Sequence, residues 1–183
     1  MSLIVIPSLL GASMSERFAS CLKLILQFEG GFVDDPADRG GRTNKGITQA
    51  TYNVWLGSQG KPAADVLHIS DEDVAAIYKN RYWDVCRCDS LAAPLDAAVF
   101  DAAVNSGPSR STKWLQTALQ LTSDGQIGPK TLAAMAACDP VDTTKNVIKL
   151  RETFFNTIGV GTQKKFLKGW LYRLGKLRKF CGV

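Results

Sequence analysis

Apolar residues recur along much of this chain at three- and four-residue intervals, the period of a single buried helical face. Phe18, Leu22, Ile25 and Phe28 form the first such stripe. Ser13-Met14-Ser15-Glu16 ahead of it has the spacing of a capping box and predicts a helix start, and Gly30-Gly31 predicts its end. Between residues 32 and 48 the period is lost. Pro36 and glycines set among polar residues predict a loop or short β-hairpin folded beside that helix. Helical patterning resumes at Ser70-Asp71-Glu72-Asp73, with Val74, Ile77, Tyr78 and Tyr82 on one face. Pro94 suits a first helical position, and Leu95 to Val104 is apolar almost all round. Together they predict a central buried helix, ended by Ser106-Gly107-Pro108. Further helices are predicted around Trp114, Leu115, Ala118 and Leu119, and from Gly128-Pro129 to about Cys138. Val147, Ile148, Arg151, Phe154, Phe155 and Ile158 mark another, and the last, near 163–181, has Phe166, Trp170, Leu174 and Leu177 along one side. The expected class is mainly α within an α+β plan: a helical, bundle-like core with a short β-hairpin or irregular loop beside the first helix.

Composition narrows what such a fold does. The 183 residues are 45% apolar and 21% charged, as in ordinary folded domains, enough for one domain or two small modules sharing a core. No apolar run approaches the roughly 20 residues that cross a bilayer, which excludes a helical channel or transporter. Leu3 to Ala12 is apolar, but no Lys or Arg precedes it and Pro7 interrupts it. Residues 1–13 therefore read as a disordered segment or extension and not as a secretory leader. The formal net charge is +5. Lys164, Lys165, Lys168, Arg173, Lys176, Arg178 and Lys179 crowd the last helix, with no acid after Glu152. This is either a solvated face or a surface drawn to polyanionic envelopes; without a nucleic-acid-binding motif, nucleic acid is not an expected partner.

His68 is the sole histidine, so a multi-histidine metal site is impossible, and its setting in Val66-Leu67-His68-Ile69 suits a packing or surface residue. Cys21, Cys86, Cys88, Cys138 and Cys181 are odd in number and scattered, which predicts free thiols, with Cys21 acting as a small hydrophobe. Glutamate is scarce: Glu16, Glu29, Glu72 and Glu152 are all there is.

Glu29 is expected in the last turn of the first helix, where the helix dipole disfavours a carboxylate and a surface residue gains nothing. Asp38 follows nine residues later and Thr43 fourteen. If the loop folds back, both face Glu29 across a cleft. Breaking a glycosidic bond needs such a pair of sides: a protonated carboxyl that donates to the leaving oxygen, and polar groups opposite that steady a developing cation or place a water. Phe28 and Phe32 give Glu29 a half-apolar setting suited to a donor, while Arg39 and Arg42 give Asp38 one suited to an ion. Plainer roles stand beside these. Asp38 caps a loop, Thr43 pins the hairpin, and Asp34 and Asp35 lie in a solvated turn. Tyr82 and Trp83 either stack on sugar faces or pack inside. Asp101 and Asn105, one turn apart, form an internal polar pair, or Asn105 reaches a cleft floor.

Glu29-Gly30-Gly31-Phe32, then Asp35-Pro36-Ala37-Asp38-Arg39-Gly40-Gly41-Arg42-Thr43-Asn44-Lys45-Gly46-Ile47-Thr48, resembles the signature of glycoside hydrolase family 108, the N-acetylmuramidases of phages and prophages. Tyr82-Trp83 and the stretch from Phe100 to Gly107 are similar to later parts of that family. Trp114-Leu115-Gln116 and Asp124 to Thr131 look like the peptidoglycan-binding module that accompanies it. The resemblance covers about residues 14–181. It implies a lysozyme-like catalytic module over 14–95 and a helical peptidoglycan-binding module over 96–181, packed together as one unit. It implies hydrolysis of the β-1,4 bond between N-acetylmuramic acid and N-acetylglucosamine, with Glu29 as proton donor, Asp38 and Thr43 opposite, and Tyr82, Trp83 and Asn105 on the glycan. No metal or organic cofactor is implied. The implied partners are peptidoglycan glycan strands and a holin-type permeabilising protein, for a monomer made in the cytoplasm and acting on the wall after release. A catalytically silent wall-binding protein and a lytic transglycosylase are the alternatives.

Overall fold

Helix α4, Leu95–Ser106, is the post around which the other elements gather. Every residue from Leu95 to Ala103 is buried, and α1 (Leu9–Leu26), α5 (Pro108–Ala118), α7 (Pro140–Ile158) and α8 (Lys164–Cys181) all pack on it. Ala97, Ala98, Ala102 and Ala103 keep its surface low, so neighbours approach on all sides. Gly107, at φ +86°, ends α4, and Pro108 opens α5 at the first helical position, where its missing N–H costs nothing. The remaining elements are α2 (Gln49–Ser58), α3 (Asp71–Tyr78), α6 (Pro129–Ala137), and the strands β1 (Thr43–Asn44) and β2 (Ile47–Thr48). The computed structural model describes residues 9–34 and 41–183, with side chains from Glu16 onward. It is mainly helical with one small two-stranded sheet, as the hydrophobic pattern predicts.

Three elements depart from that pattern. α1 begins at Leu9 and runs through the expected capping box. α2 is unexpected, because it buries only Tyr52 and Leu56; its start is set locally by Thr48, whose side chain accepts the Thr51 N–H. The stripe of α3 does not continue to Tyr82. The chain passes into a π-helical turn at Lys79–Trp83, which carries Trp83 into the core. α3 still starts at its predicted cap, Ser70, and the other helices lie where predicted, α6 starting at Pro129.

The hairpin β1–β2 pairs Thr43 with Thr48 and Asn44 with Ile47 around the two-residue loop Lys45-Gly46. Both loop residues have positive φ, +49° and +75°, as the tightest right-twisting hairpin requires. Asn44 is buried and donates through Nδ2 to the carbonyls of Val66 (3.1 Å) and Leu67 (3.0 Å), which fastens the hairpin to a 3-10 turn at Val66–His68. A single core joins both halves of the chain. Phe18, Trp83 and Phe100 interlock with ring centres 5.2–5.7 Å apart, and Leu115, Val147, Ile148, Phe155, Leu174 and Leu177 complete it. All five cysteines are free, and His68 is exposed. Among the described residues no helix is long and apolar enough to cross a membrane.

Candidate active site

The last regular turn of α1 closes with Gln27 N–H on Leu24 and Phe28 N–H on Ile25, so Glu29 falls three residues beyond Leu26 in a bend, not in the last turn. It is held by side chains and not by a helix. Arg173, from α8, donates through Nη1 to Glu29 Oε1 at 3.3 Å, and the Glu29 side chain stays 22% exposed. Arg173 is itself anchored: Nε donates to Asp101 Oδ1 at 2.8 Å, and its guanidinium lies 4.8 Å over the Phe28 ring. Asp101, on α4, accepts through its other oxygen from Nη2 of Arg151, on α7, at 2.7 Å. Asp101 and Arg151 are fully buried. Burial pushes the Arg151 guanidinium down from its usual range, and the Asp101 charge opposes that fall.

The hairpin closes on the other oxygen. A Cβ at Gly46 would stand 2.8 Å from Glu29 Oε2 and 2.5 Å from the Tyr78 hydroxyl, so only glycine lets the loop lie against them. Tyr78, at the end of α3, donates to the Lys45 carbonyl at 2.9 Å. Burial, and then the Glu29 charge, push its phenol up, so it remains a neutral donor through the physiological range. The root of the hairpin is tied by Arg42, paired with Asp65 (2.8 Å) and Asp34 (3.3 Å) and lying 5.2 Å over the Phe32 ring. A half-exposed carboxyl thus stands where the hairpin meets the helical body, one oxygen gripped from the body and the other against the hairpin.

Residues 22–107 match the family model for glycosyl hydrolase 108, and residues 110–175 match that of a predicted peptidoglycan domain. The structure of SagA from Brucella abortus is 34% identical, superposes with a TM-score of 0.75, and is covered over 91% of this chain and 94% of that one. The chain belongs to glycosyl hydrolase family 108. Its two matched regions make it a peptidoglycan hydrolase of the lysozyme type. No curated protein matches it.

In this family 108 hydrolase the site draws on both matched regions: Glu29, Gly46, Tyr78 and Asp101 come from the first, Arg151 and Arg173 from the second. Asp38 lies outside the described residues. Thr43 is half-buried in β1; its backbone pairs with Val33, and its hydroxyl donates to the Gly41 carbonyl at 3.3 Å. Tyr82 is half-buried with its ring 5.6 Å from that of Tyr78. Trp83 is corrected. It is 2% exposed, edge-on to Phe18 and Phe100, and its Nε1 donates to Asp89 at 2.6 Å, so it offers no face to a sugar. The expected Asp101–Asn105 pair is corrected as well: Asp101 is spent on two arginines, while half-buried Asn105 accepts from Ser106 Oγ at 3.4 Å. Sequence reasoning missed Arg151 and Arg173 as partners of Asp101. Their signal was a cation inside an apolar stripe, Arg151 between Ile148 and Phe155 and Arg173 beside Leu174.

Proposed function

We propose that this hydrolase cleaves the β-1,4 bond between N-acetylmuramic acid and N-acetylglucosamine in peptidoglycan, with Glu29 as proton donor to the leaving oxygen. The observation that carries the reading is the placement of Glu29: a half-exposed carboxyl with Oε1 fixed by Arg173 and Oε2 at the seam between helical body and hairpin. A neutral carboxyl accepts through its carbonyl oxygen and donates through its hydroxyl. An Arg173 bond to Oε1 therefore suits a proton carried on Oε2. The glycan is placed along the seam, with Tyr82 beside it as an aromatic wall. Asp38 takes the role of the ionised partner across the cleft and Thr43 that of a polar group steadying the far side. The site of action is the cell wall, reached with the help of a membrane-permeabilising partner.

The test is Glu29→Gln on purified cell walls. The side chain keeps its size and loses its transferable proton, so lysis falls by at least about 100-fold while binding to insoluble walls persists. Undiminished lysis by the variant overturns the assignment. Wall binding with no lysis by the unaltered protein overturns hydrolysis itself.

A further inference from the structure

We infer that Arg173 is the positioning residue of Glu29, held in place by Asp101 and Arg151; the inference rests on the reading of Glu29 as proton donor.

Glu29 lies on no helix, so its backbone does not fix where its carboxyl points. Arg173 does. Its Nη1 reaches Oε1 across 144 residues of sequence and leaves Oε2 at the hairpin seam. Arg173 cannot turn freely, because Nε is committed to Asp101 and the guanidinium plane lies over Phe28. Asp101 in turn is clamped by Arg151. The result is a chain of three charged side chains running from α7 through α4 to α8 and ending on the Glu29 carboxyl.

This arrangement is a poor way to stabilise a protein. Among the described residues, Nη2 of Arg173 and both Nε and Nη1 of Arg151 are buried without a partner. Two cations share one buried anion, Asp101, where apolar side chains of similar volume would serve the core as well or better. The surplus positive charge of the two arginines over Asp101 faces Glu29, which stands at the surface end. A guanidinium fork also does what an ammonium does not: it holds Asp101 and Glu29 at once, in fixed relative directions. The helical region matched as a predicted peptidoglycan domain thus supplies the group that orients the carboxyl, in addition to any hold it has on the wall.

The experiment compares Arg173→Gln, Arg173→Lys and Asp101→Asn in the full chain. It uses soluble peptidoglycan fragments for kcat and KM, and circular dichroism for Tm. Met135→Ala, a core change on α6, which carries none of these four side chains, supplies the reference for loss of stability alone. Arg173→Gln is expected to lower kcat by about 10- to 100-fold with KM held within about twofold, as for a displaced reacting group. Arg173→Lys, which keeps one donor and the charge, recovers part of that loss. Asp101→Asn, which frees Arg173 without removing it, falls between Arg173→Gln and the unaltered protein. Wild-type kcat in folded Arg173→Gln overturns the inference. So does a kcat loss no larger than that of Met135→Ala at the same drop in Tm. If Glu29→Gln is inactive while Arg173→Gln is fully active, only the positioning role fails; if Glu29→Gln hydrolyses normally, the proton-donor reading fails first.

Discussion

At the scale of single residues, the site depends on what is absent as much as on what is present. Gly46 has no side chain at a point where one carbon more would press on both Glu29 Oε2 and the Tyr78 hydroxyl. Its φ of +75° would strain any L-residue in addition. Gly46→Ala is therefore expected to cost about 2 kcal/mol, a fall in Tm of roughly 4–8 °C. Activity falls further than stability, by about 10-fold or more at temperatures where the variant is folded, because the carboxyl is pushed aside. Thermal melts alongside kcat check both; full activity in the alanine variant contradicts the close approach. The sequence made Glu29 legible because it is one of four glutamates and stands before two glycines in a long motif. Its neighbours were not legible. Nothing in local spacing tells that residue 173 returns to residue 29, since that contact is made by the packing of α8 on α4.

At the scale of elements, periodicity read the strongly amphipathic helices well and failed where local chemistry takes over. α2 buries two residues and leaves Val54 exposed, so no stripe announces it. The π-helical turn after Tyr78 shifts the register by one residue, so that Trp83 takes the inward place that a continued helix would give to Tyr82. On α8 the periodicity is right but the charge has two fates. Arg173 is buried in the site, and Arg178 pairs with Glu152 at 2.7 Å. Lys164, Lys165, Lys168, Lys176 and Lys179 remain exposed, with Tyr172 among them. These five lysines are expected to speed encounter with an anionic wall, and so to act only while salt is low. Replacing them with glutamine should slow lysis of cell walls several-fold at low ionic strength, leave kcat on small soluble fragments unchanged, and make no difference near about 1 M salt, where the Debye length is only about 3 Å. Equal salt dependence in both proteins contradicts that role.

Across the whole molecule, one core serves both matched regions, and its buried thiols set a pH limit on stability. Burial raises Cys21 to about 12 and Cys86 to about 11, from an ordinary value of 9.0. An acid whose pKa is raised by folding holds its proton more tightly in the native state. Its contribution is whole below pH 9 and is lost as pH climbs toward the folded value, because the unfolded chain releases the proton first. Each thiol is worth of order 1 kcal/mol at pH 10 on this count. Tm should stay level to about pH 8.5 and then decline, and Cys21→Ala should decline less steeply over the same range. Parallel declines would assign the alkaline loss to other groups. The same core explains why the fold class was readable from sequence while the site was only half so: burying apolar stripes dictates helices, but the polar contacts that build the site are tertiary.

The central claim is that Glu29 hands a proton to the glycosidic oxygen and water completes the cleavage. Mass spectrometry of peptidoglycan digested by the native protein and by Glu29→Gln tests it most directly. Fragments ending in reducing N-acetylmuramic acid are expected from the native protein, and none above background from the variant. Anhydro-sugar ends, a different reducing sugar, or the same fragments in the same yield from Glu29→Gln would contradict it.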